Sequence, residues 1–360
     1  MDDGDRRLLT LIQEDFPLRS KPFEWLGKRL GMDEAEVLLR VHRLKSSGIL
    51  EEIRAIFDIR DLGYQSTLVA MHVPAERFRR AVSRVSAHPG VSFCCQRMHR
   101  LNIWLTLSVP PAQSLAVHVD NLHKAAEASE SLVLPALSTY KRGFKMDPMD
   151  TEYVLNQKRY GRWASKDEEH HDLNSLELEV IRLLQHDLPI NDQPYRKIAK
   201  TIDLSEAQLF EIVHSFIARG YWRRCVGFIK RKNHNPSQHA LSVWNIPEEK
   251  IEEVGRKMAP MAEVHYCCYR PPYQSFPFSF YASVKASSRE EAEAVERQIE
   301  SVIGKWPYEI LLCQRIFKKS RLKYFIQELN DWSEANADIS GLFSSAIAGE
   351  LKENYIDAEN

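Results

Sequence analysis

The 360-residue sequence lacks the features that mark several large classes of protein. No apolar run approaches the roughly 20 residues that span a bilayer, and the opening residues, MDDGDRR, do not have the basic-then-apolar order of a signal peptide. The six cysteines include no C-x-x-C pair, which argues against a secreted disulfide framework and a structural zinc site. We therefore expect a cytoplasmic protein with reduced thiols, no bound metal and no contact with a membrane.

A basic excess, which is usual in nucleic-acid-binding proteins, is also missing. The chain has 49 basic and 50 acidic residues and a net charge of −1. Its apolar content of 44% is enough for hydrophobic cores, and its length favours at least two domains. The composition indicates a globular, multidomain protein.

One short stretch occurs twice: VSFCCQR starts at Val91, and VHYCCYR starts at Val264. Its β-branched and aromatic residues predict a strand, along which side chains alternate between two faces. One face of each strand then holds an aromatic residue, a cysteine and an arginine. These residues are Phe93, Cys95 and Arg97, followed by His99, in the first copy, and Tyr266, Cys268 and Arg270 in the second. An arginine in such surroundings indicates a recess that holds an anion.

Internal similarity extends far beyond this stretch. The sequence DFPL at Asp15 recurs as DLPI at Asp187, and Gly48 recurs as Gly220, in both cases 172 residues later. A spacing that stays this constant indicates two homologous halves. We expect a winged helix-turn-helix at 1–56, a ferredoxin-like domain at 57–146, a linker at 147–172, a second winged helix-turn-helix at 173–230, a second ferredoxin-like domain at 231–325 and a C-terminal helix or tail at 326–360.

The apolar spacing predicts the same elements in each half. Three helices and an extended wing come first, in 5–57 and again from residue 176. A strand–helix–strand–strand–helix–strand order follows over 67–140 and 240–316, which is the order of a ferredoxin-like domain. The predicted elements include helices at 22–30, 75–87 and 289–303 and a strand at 132–140. The predicted fold class is therefore α+β: a tandem duplication in which each half is a winged helix-turn-helix followed by a ferredoxin-like (βαββαβ) domain.

This domain order resembles the Lrp/AsnC regulators, and particular motifs resemble the siroheme decarboxylases more narrowly. The first half is similar to the first subunit of that family, and the second half is similar to its partner subunit, so the chain resembles a fused form. The motifs that carry the resemblance are Asp15-Phe16-Pro17, Leu30-Gly31-Met32, Gly48-Ile49-Leu50, Arg54-Ala55-Ile56-Phe57, His88-Pro89-Gly90-Val91, Arg97, His99, Asn102 and Trp104 in the first half, and Arg270-Pro271, Tyr273, Pro277-Phe278 and Arg315-Ile316-Phe317-Lys318 in the second.

The resemblance implies a carboxy-lyase that needs no cofactor, because the siroheme iron belongs to the substrate. Such an enzyme removes carbon dioxide from two acetate side chains of siroheme to give 12,18-didecarboxysiroheme, a precursor in heme d1 synthesis or in an alternative heme pathway. The resemblance also implies a pseudo-dimer within one chain. A homodimer of the fused chain stays open.

A tetrapyrrole is a flat apolar disc with carboxylates at its edge, so its site needs an apolar slot and several fixed cations. Arg97 and Arg270 are the first candidates for carboxylate binding, and His99 is the first candidate for the proton donor. Further candidates for substrate binding are Lys141, Arg142, Lys145, Arg315, Lys318 and Tyr273.

The sequence departs from the family pattern at one point. The family places a histidine four residues before the motif arginine, where this chain has Phe93 and Tyr266. His265 is one residue early and faces the other way unless a β-bulge shifts the register. Tyr266 and His265 are therefore the candidate acids of the second half.

The sequence also leaves alternatives open for the role of the cysteines and for the function of the chain. Cys95 and Cys268 are either inert core thiols or ligands for iron or a redox pair. The chain is either a decarboxylase or a non-catalytic tetrapyrrole-binding partner or sensor.

A DNA-binding regulator is a third alternative, because the third helix carries four basic or histidine side chains. These are Arg40, His42, Arg43 and Lys45, but the corresponding helix of the second half, around Glu211 and His214, is apolar and acidic.

Overall fold

The computed structural model of the chain describes residues 1–142, 145–146, 153–154, 173–230, 239–286 and 288–335. The first half begins with three helices and a strand, continues with a strand–helix–strand–strand–helix–strand unit and ends in three further short strands. Its elements are α1 (Asp3–Glu14), α2 (Pro22–Leu30), α3 (Glu34–Ser46), β1 (Leu50–Phe57), β2 (Gln65–His72), α4 (Ala75–Ala87), β3 (Val91–Arg97), β4 (Ile103–Val109), α5 (Leu115–Ala126), β5 (Glu130–Leu134), β6 (Ser138–Arg142), β7 (Lys145–Met146) and β8 (Tyr153–Val154). Most of the predicted linker at 147–172 lies outside the described residues.

The second half repeats this order and adds a C-terminal helix. Its elements are α6 (Ser175–Leu184), α7 (Pro194–Lys200), α8 (Glu206–Ala218), β9 (Trp222–Ile229), β10 (His239–Trp244), α9 (Glu248–Met258), β11 (Val264–Tyr269), β12 (Phe280–Lys285), α10 (Arg289–Ile303), β13 (Tyr308–Lys319) and α11 (Gln327–Ala335). The α+β tandem duplication predicted from the sequence is confirmed.

Short-range hydrogen bonds set the ends of the first helices. The Asp2 side chain accepts from the Asp5 backbone and Asp5 returns the bond, which satisfies two free amides at the start of α1. Gly31 ends α2 in the left-handed region at φ 72°, a conformation that glycine adopts without steric cost. Such local signals explain why the helix positions can be read from the sequence.

The two helix-turn-helix regions share one core. The strands predicted as wings, β1 and β9, pair with each other in antiparallel register, with Ala55 opposite Cys225. Side chains from both regions, such as Leu9, Phe57, Val180 and Phe216, are buried in a single cluster around this pair. Each wing strand thus joins the two halves.

Nine of the remaining strands form one sheet in the order β5-β2-β4-β3-β13-β10-β12-β11-β6, and β7 and β8 pair with each other in a separate two-stranded sheet. Strands β5-β2-β4-β3 come from the first ferredoxin-like unit, and β13-β10-β12-β11 come from the second. The halves exchange their last strands, because β13 pairs with β3 and β6 pairs with β11. The two ends of the order, β5 and β6, are separated in the chain by residues 135–137 alone, so the sheet wraps around a shared interior.

Three cores follow from this arrangement. Helices α4 and α5 cover the outer face of the first unit, and α9 and α10 cover that of the second. The inner faces of both units pack against each other in a third cluster, which we call the inter-sheet core. Its fully buried side chains include Cys95, Trp104, Val243, Cys268 and Tyr281. This core contains the side chains that the sequence predicted to line one face of β3 and β11.

Candidate functional site

Arg97 and Arg270 occupy equivalent positions in the two halves. Arg97 ends β3, and its Nη1 donates to the Leu311 carbonyl of β13 at 2.5 Å. Arg270 directly follows β11, and its Nη1 donates to the Leu134 carbonyl of β5. Each guanidinium therefore reaches from one half to a strand of the other half, β13 for Arg97 and β5 for Arg270.

A row of aromatic rings connects the two arginines. The guanidinium carbon of Arg97 lies 5.8 Å from the ring centroid of Trp104, and that of Arg270 lies 5.5 Å from the ring centroid of Tyr281. Between them, the centroid of Phe276 is 5.8 Å from Trp104 and 6.4 Å from Tyr281. The rings are buried and inclined to one another by 62° and 50°, so the row is a packed apolar core with a cation at each end. Apolar side chains bordered by two cations suit the composition of an apolar, anionic ring system.

The positive charge of these arginines is not balanced by a neighbouring carboxylate. Among the described residues, neither guanidinium has a carboxylate oxygen within 4.0 Å. The Nε atom of each is buried and has no hydrogen-bond partner there either, and Arg270 is only 8% exposed. A buried cation without a counter-ion costs several kcal/mol, so an incoming carboxylate would be bound strongly.

His99 lies beside Arg97 in the turn between β3 and β4. The Leu101 backbone N–H donates to its Nδ1 at 2.9 Å, so the neutral ring carries its proton on Nε2. That Nε2 lies 3.4 Å from the carboxylate of Glu309 on β13, and the ring packs edge-on against Phe276 at 5.5 Å. Burial lowers the pKa of His99, and the Glu309 carboxylate opposes this shift.

A cavity of about 360 Å³ opens next to this pair. It lies between the turn after β3, the start of α10 and β13. Its lining residues are Met98, Arg289, Glu293, Tyr308, Glu309, Ile310 and Leu311. The cavity is linked to Arg97 through Leu311, which lines it and whose carbonyl accepts the Arg97 hydrogen bond.

The second end of the row holds the predicted Tyr266 and Tyr273, and His265 precedes Tyr266 in β11. The Tyr273 hydroxyl donates to the Val133 carbonyl at 2.7 Å, next to the Leu134 carbonyl that Arg270 uses. Burial raises the pKa of Tyr266, which makes it a weaker acid than free tyrosine. His265 is buried at a register shift between Val264 and Tyr266, so the required β-bulge exists, and a matching shift follows Val91 in β3.

The predicted lysines lie away from the aromatic row. Lys141 donates through Nζ to the Met261 carbonyl at 2.6 Å, and Lys318 donates to the His88 carbonyl at 2.8 Å. Both carbonyls belong to the turn that precedes β11 or β3, and burial lowers the pKa of both lysines. These ammonium groups support turns of the fold, which leaves Arg97 and Arg270 as the cations of the row among the side chains that the structure describes.

Among the remaining basic candidates, Arg315 is described and is not brought to the row. Arg315 is exposed, and its guanidinium lies over the Phe317 ring at 5.2 Å. The side chains of Arg142 and Lys145 lie outside the described residues.

The paired cysteines divide between the cores as strand alternation predicts. Cys94 and Cys267 face the helices, whereas Cys95 and Cys268 lie in the inter-sheet core. Cys95 is fully buried, and its hydrogen bond to Cys313 and its burial raise its pKa, so it stays protonated near neutral pH. Because Cys95 is buried and protonated, its interpretation as an inert core thiol is favoured over its interpretation as an iron ligand.

The basic side chains of α3 are held in ion pairs. Arg40 contacts Asp2 at 2.8 Å and Asp5 at 2.9 Å, and Arg43 contacts Asp5 at 2.6 Å. Lys45 is paired with Asp187 of the second half. In the helix that the sequence suggested for DNA contact, Arg40 and Arg43 thus pair with α1 and its N-cap, and Lys45 pairs with the second helix-turn-helix region.

Sequence reasoning missed three members of the site: Glu309, Phe276 and Cys313. Each comes from the second half and contacts a residue of the first half. Glu309 and Phe276 contact His99, and Cys313 contacts Cys95. The contacts of Glu309 and Cys313 depend on the register between β13 and β3, and that of Phe276 depends on the path of the connection between β11 and β12. The sequence carries no visible signal for either. Within the described part of the chain, no group of three or more His, Cys, Asp or Glu side chains is placed to hold a metal ion. No helix there has the length and apolar character needed to span a membrane.

Family models match both halves of the chain. The model described as siroheme decarboxylase NirDL-like HTH domain matches residues 5–50 and 177–223. The model described as AsnC-like ligand binding domain matches residues 61–141 and 237–318. The duplicated domain order inferred from the sequence is therefore also recognised by family comparison.

Individual relatives match over nearly the full length. The siroheme decarboxylase of Hydrogenobacter thermophilus is 32% identical over 330 residues, which are 91% of this chain and 96% of that protein. The siroheme decarboxylase alpha subunit of Desulfovibrio desulfuricans is 41% identical over 149 residues, which cover 41% of this chain and 86% of the subunit. The crystal structure of the siroheme decarboxylase NirDL in co-complex with an iron-uroporphyrin III analogue superposes with a TM-score of 0.78 at 28% identity, covering 94% of this chain and 99% of that one.

Proposed function

Because the chain belongs to the siroheme decarboxylase family, we propose that it removes carbon dioxide from acetate side chains of siroheme. The observation that carries the proposal is the row of aromatic rings with Arg97 at one end and Arg270 at the other. This arrangement matches a ring system that is apolar on its faces and anionic at its edge. The relative crystallised with an iron-uroporphyrin III analogue holds a ligand of this class.

The two arginines are the groups that bind substrate carboxylates. Their guanidinium groups are fixed by backbone carbonyls and lack a protein carboxylate among the described residues, so a substrate carboxylate is the missing counter-ion. A bidentate pair between guanidinium and carboxylate would fix the position of the ring edge. The cavity at Met98 and Leu311 provides the approach to the Arg97 end.

Decarboxylation breaks the bond between the acetate methylene and its carboxylate. The bonding electrons stay on the methylene carbon, where the conjugated ring spreads the negative charge, and a proton must then reach that carbon. We assign this proton to His99, whose Nε2 is turned towards Glu309 at the cavity. Phe93 and Tyr266 cannot replace it readily, since one has no proton to give and burial raises the pKa of the other.

The finer product assignment follows the family. We propose loss of two acetate carboxylates to give 12,18-didecarboxysiroheme, for heme d1 or alternative heme synthesis, without a cofactor of the protein. The pseudo-dimer within the chain supplies one arginine from each half to the row. Cations of α3 that are already paired with Asp2, Asp5 and Asp187 support the inference that the protein does not act by reading DNA.

The test is anaerobic incubation of the purified chain with siroheme, followed by mass spectrometry of the tetrapyrrole. We expect products lighter by one and then two carbon dioxide molecules. Arg97→Ala and Arg270→Ala should each lower turnover by about 100-fold or more, because each removes a charge-assisted pair of roughly 3 kcal/mol.

The control is Arg315→Ala, which removes an exposed guanidinium on the same sheet and should leave turnover within about twofold. Unchanged siroheme with well-folded protein would exclude the decarboxylase. Tight binding of siroheme without loss of mass would instead identify a tetrapyrrole-binding partner or sensor.

A further inference from the structure

The six cysteines are all reduced, and five of them are buried. The exception is Cys313 on β13, which is only partly buried. Its side chain packs against the inter-sheet core, in the cluster that also contains Cys95. Among the described cysteines, Cys313 is therefore the thiol that a small reagent reaches first.

Strand pairing brings Cys313 and Cys95 together across the boundary between the halves. Cys313 lies opposite Arg97 in the register of β13 and β3, and Cys95 lies two residues before Arg97 on the same face of β3. The two thiols are in hydrogen-bonding contact. The register sets Ile316 opposite Cys95, so the two cysteines are diagonal neighbours on one face of the sheet. A disulfide across this diagonal draws the two strands together locally.

The surroundings give the two thiols different roles. The hydrogen bond from Cys95, together with the Arg97 guanidinium, lowers the pKa of Cys313 below that of a free thiol. Burial and the same hydrogen bond raise the pKa of Cys95, which keeps it protonated. A partly exposed thiolate next to a buried thiol is the arrangement in which one sulfur attacks an oxidant and the other resolves the product.

We propose that Cys313 and Cys95 form a reversible disulfide when the protein meets a hydroperoxide. The Cys313 thiolate attacks one peroxide oxygen, so that a sulfur–oxygen bond forms and the oxygen–oxygen bond breaks, leaving a sulfenic acid and hydroxide. The Cys95 thiol then attacks this sulfur, and its proton leaves with the sulfenic oxygen as water as the disulfide forms. The hydroxide of the first step is neutralised by the proton that Cys313 lost on ionisation. Two thiols are oxidised and one peroxide is reduced.

The bond would link β3 of the first half to β13 of the second, directly beside Arg97. The other end of the aromatic row is different, because Cys268 contacts Tyr266 and Arg270 there. The proposal therefore concerns one end of the row alone. It does not depend on the decarboxylase activity, since it follows from the thiols and their strands.

The experiment is titration of the full chain with hydrogen peroxide under native conditions, followed by thiol counting in denaturant and by peptide mapping without reductant. We expect the thiol count to fall from six to about four at one equivalent of peroxide, with recovery after dithiothreitol. Trypsin should release segments 85–97 and 306–315 as one cross-linked species. Because 85–97 contains both Cys94 and Cys95, the mapping is repeated in Cys94→Ser, where the cross-link should persist.

Cys313→Ser is the main variant, because its site is partly exposed and the substitution is nearly isosteric. It should abolish the cross-link and slow thiol loss by at least about tenfold, whereas the matched Cys267→Ser variant should behave as the parent. Cys95→Ala should keep a reactive Cys313 that stops at sulfenic or sulfinic acid. A cross-link that survives in Cys313→Ser, one that includes Cys94, or no thiol loss in the parent would each overturn the proposal.

Discussion

His99 provides a pH signature for the reaction. Its pKa is lowered from the ordinary value of 6.5 by burial, while Glu309 acts in the opposite direction. If the imidazolium donates the proton, turnover should fall as the pH rises through a midpoint below 6.5. Glu309→Gln removes the opposing carboxylate and should move that midpoint to still lower pH, and His99→Ala should remove the descending limb. Turnover–pH profiles of the parent and both variants test this prediction.

An unchanged profile in His99→Ala would assign the proton to another group. The next variants to measure would then be His265→Ala and Tyr266→Phe.

Glu296 on α10 is a buried carboxyl that destabilises the fold near neutral pH. Burial raises its pKa from 4.5 to about 7, although contacts with Ser242 and Trp244 oppose the shift. The folded state therefore binds this proton more tightly than the unfolded state. The contribution of this proton to the free energy of unfolding is fully present below pH 4.5 and is lost as the pH rises through about 7.

Glu296→Gln should remove this dependence and stabilise the protein above pH 7 by up to about 3 kcal/mol. Thermal unfolding at several pH values measures the effect. The matched Glu300→Gln variant, on the same helix but partly exposed, should change stability by less than about 0.5 kcal/mol. A gain that is equal at pH 5 and pH 8 would contradict the assignment.

Single-residue predictions from the sequence succeeded where strand alternation decides the outcome. Alternation placed Cys95 and Arg97 on one face, and the structure puts both at the inter-sheet core. The β-bulge at His265 could be stated from the sequence only as a condition, since a one-residue shift leaves no mark in composition. The contact of His99 with Glu309 could not be predicted, because it joins positions 210 apart through strand register.

The C-terminal helix α11 docks on the first half through Trp332. Its ring stacks on His118 at 5.0 Å and 19° and lies 4.0 Å from the His88 ring. His88 and His118 are themselves hydrogen-bonded at 2.9 Å, and burial lowers the pKa of both. The predicted C-terminal helix or tail at 326–360 is thus helical over Gln327–Ala335, and the rest lies outside the described residues.

Trp332→Ala should release this helix. We expect a stability loss of about 2 kcal/mol, from lost apolar burial and ring stacking, and faster amide hydrogen exchange confined to α11. The exposed Glu334→Ala variant on the same helix is the control and should exchange like the parent. Equal exchange in both variants would show that Trp332 does not hold the helix.

Element positions were readable from the sequence where a local signal exists. The predicted 22–30, 75–87 and 289–303 helices match α2, α4 and α10 to the residue, because proline, glycine and apolar spacing mark them. The wings were predicted as extended segments, but their pairing with each other was not, since an isolated strand does not specify its partner. For the same reason the expected strand at 132–140 is two strands, β5 and β6, which pair at opposite ends of the sheet order.

The molecule as a whole should unfold in one step. The helix-turn-helix core and the inter-sheet core each combine side chains of both halves. In addition, β6 of the first half pairs with β11 of the second, and β13 of the second half pairs with β3 of the first. Calorimetry should therefore give a single transition whose calorimetric and van't Hoff enthalpies agree. Two separate transitions, or a stable monomeric fragment 1–142, would show that the halves fold independently.

The strand exchange also has a genetic consequence. In a symmetric homodimer every substitution appears twice at the interface, so a change that helps one end of the aromatic row is imposed on the other. In this fused chain each position mutates once, which allows Trp104 and His99 to stand at one end and Tyr281 and Tyr273 at the other. Joining the halves into one chain thus frees each end of the row to evolve separately while both keep their arginine.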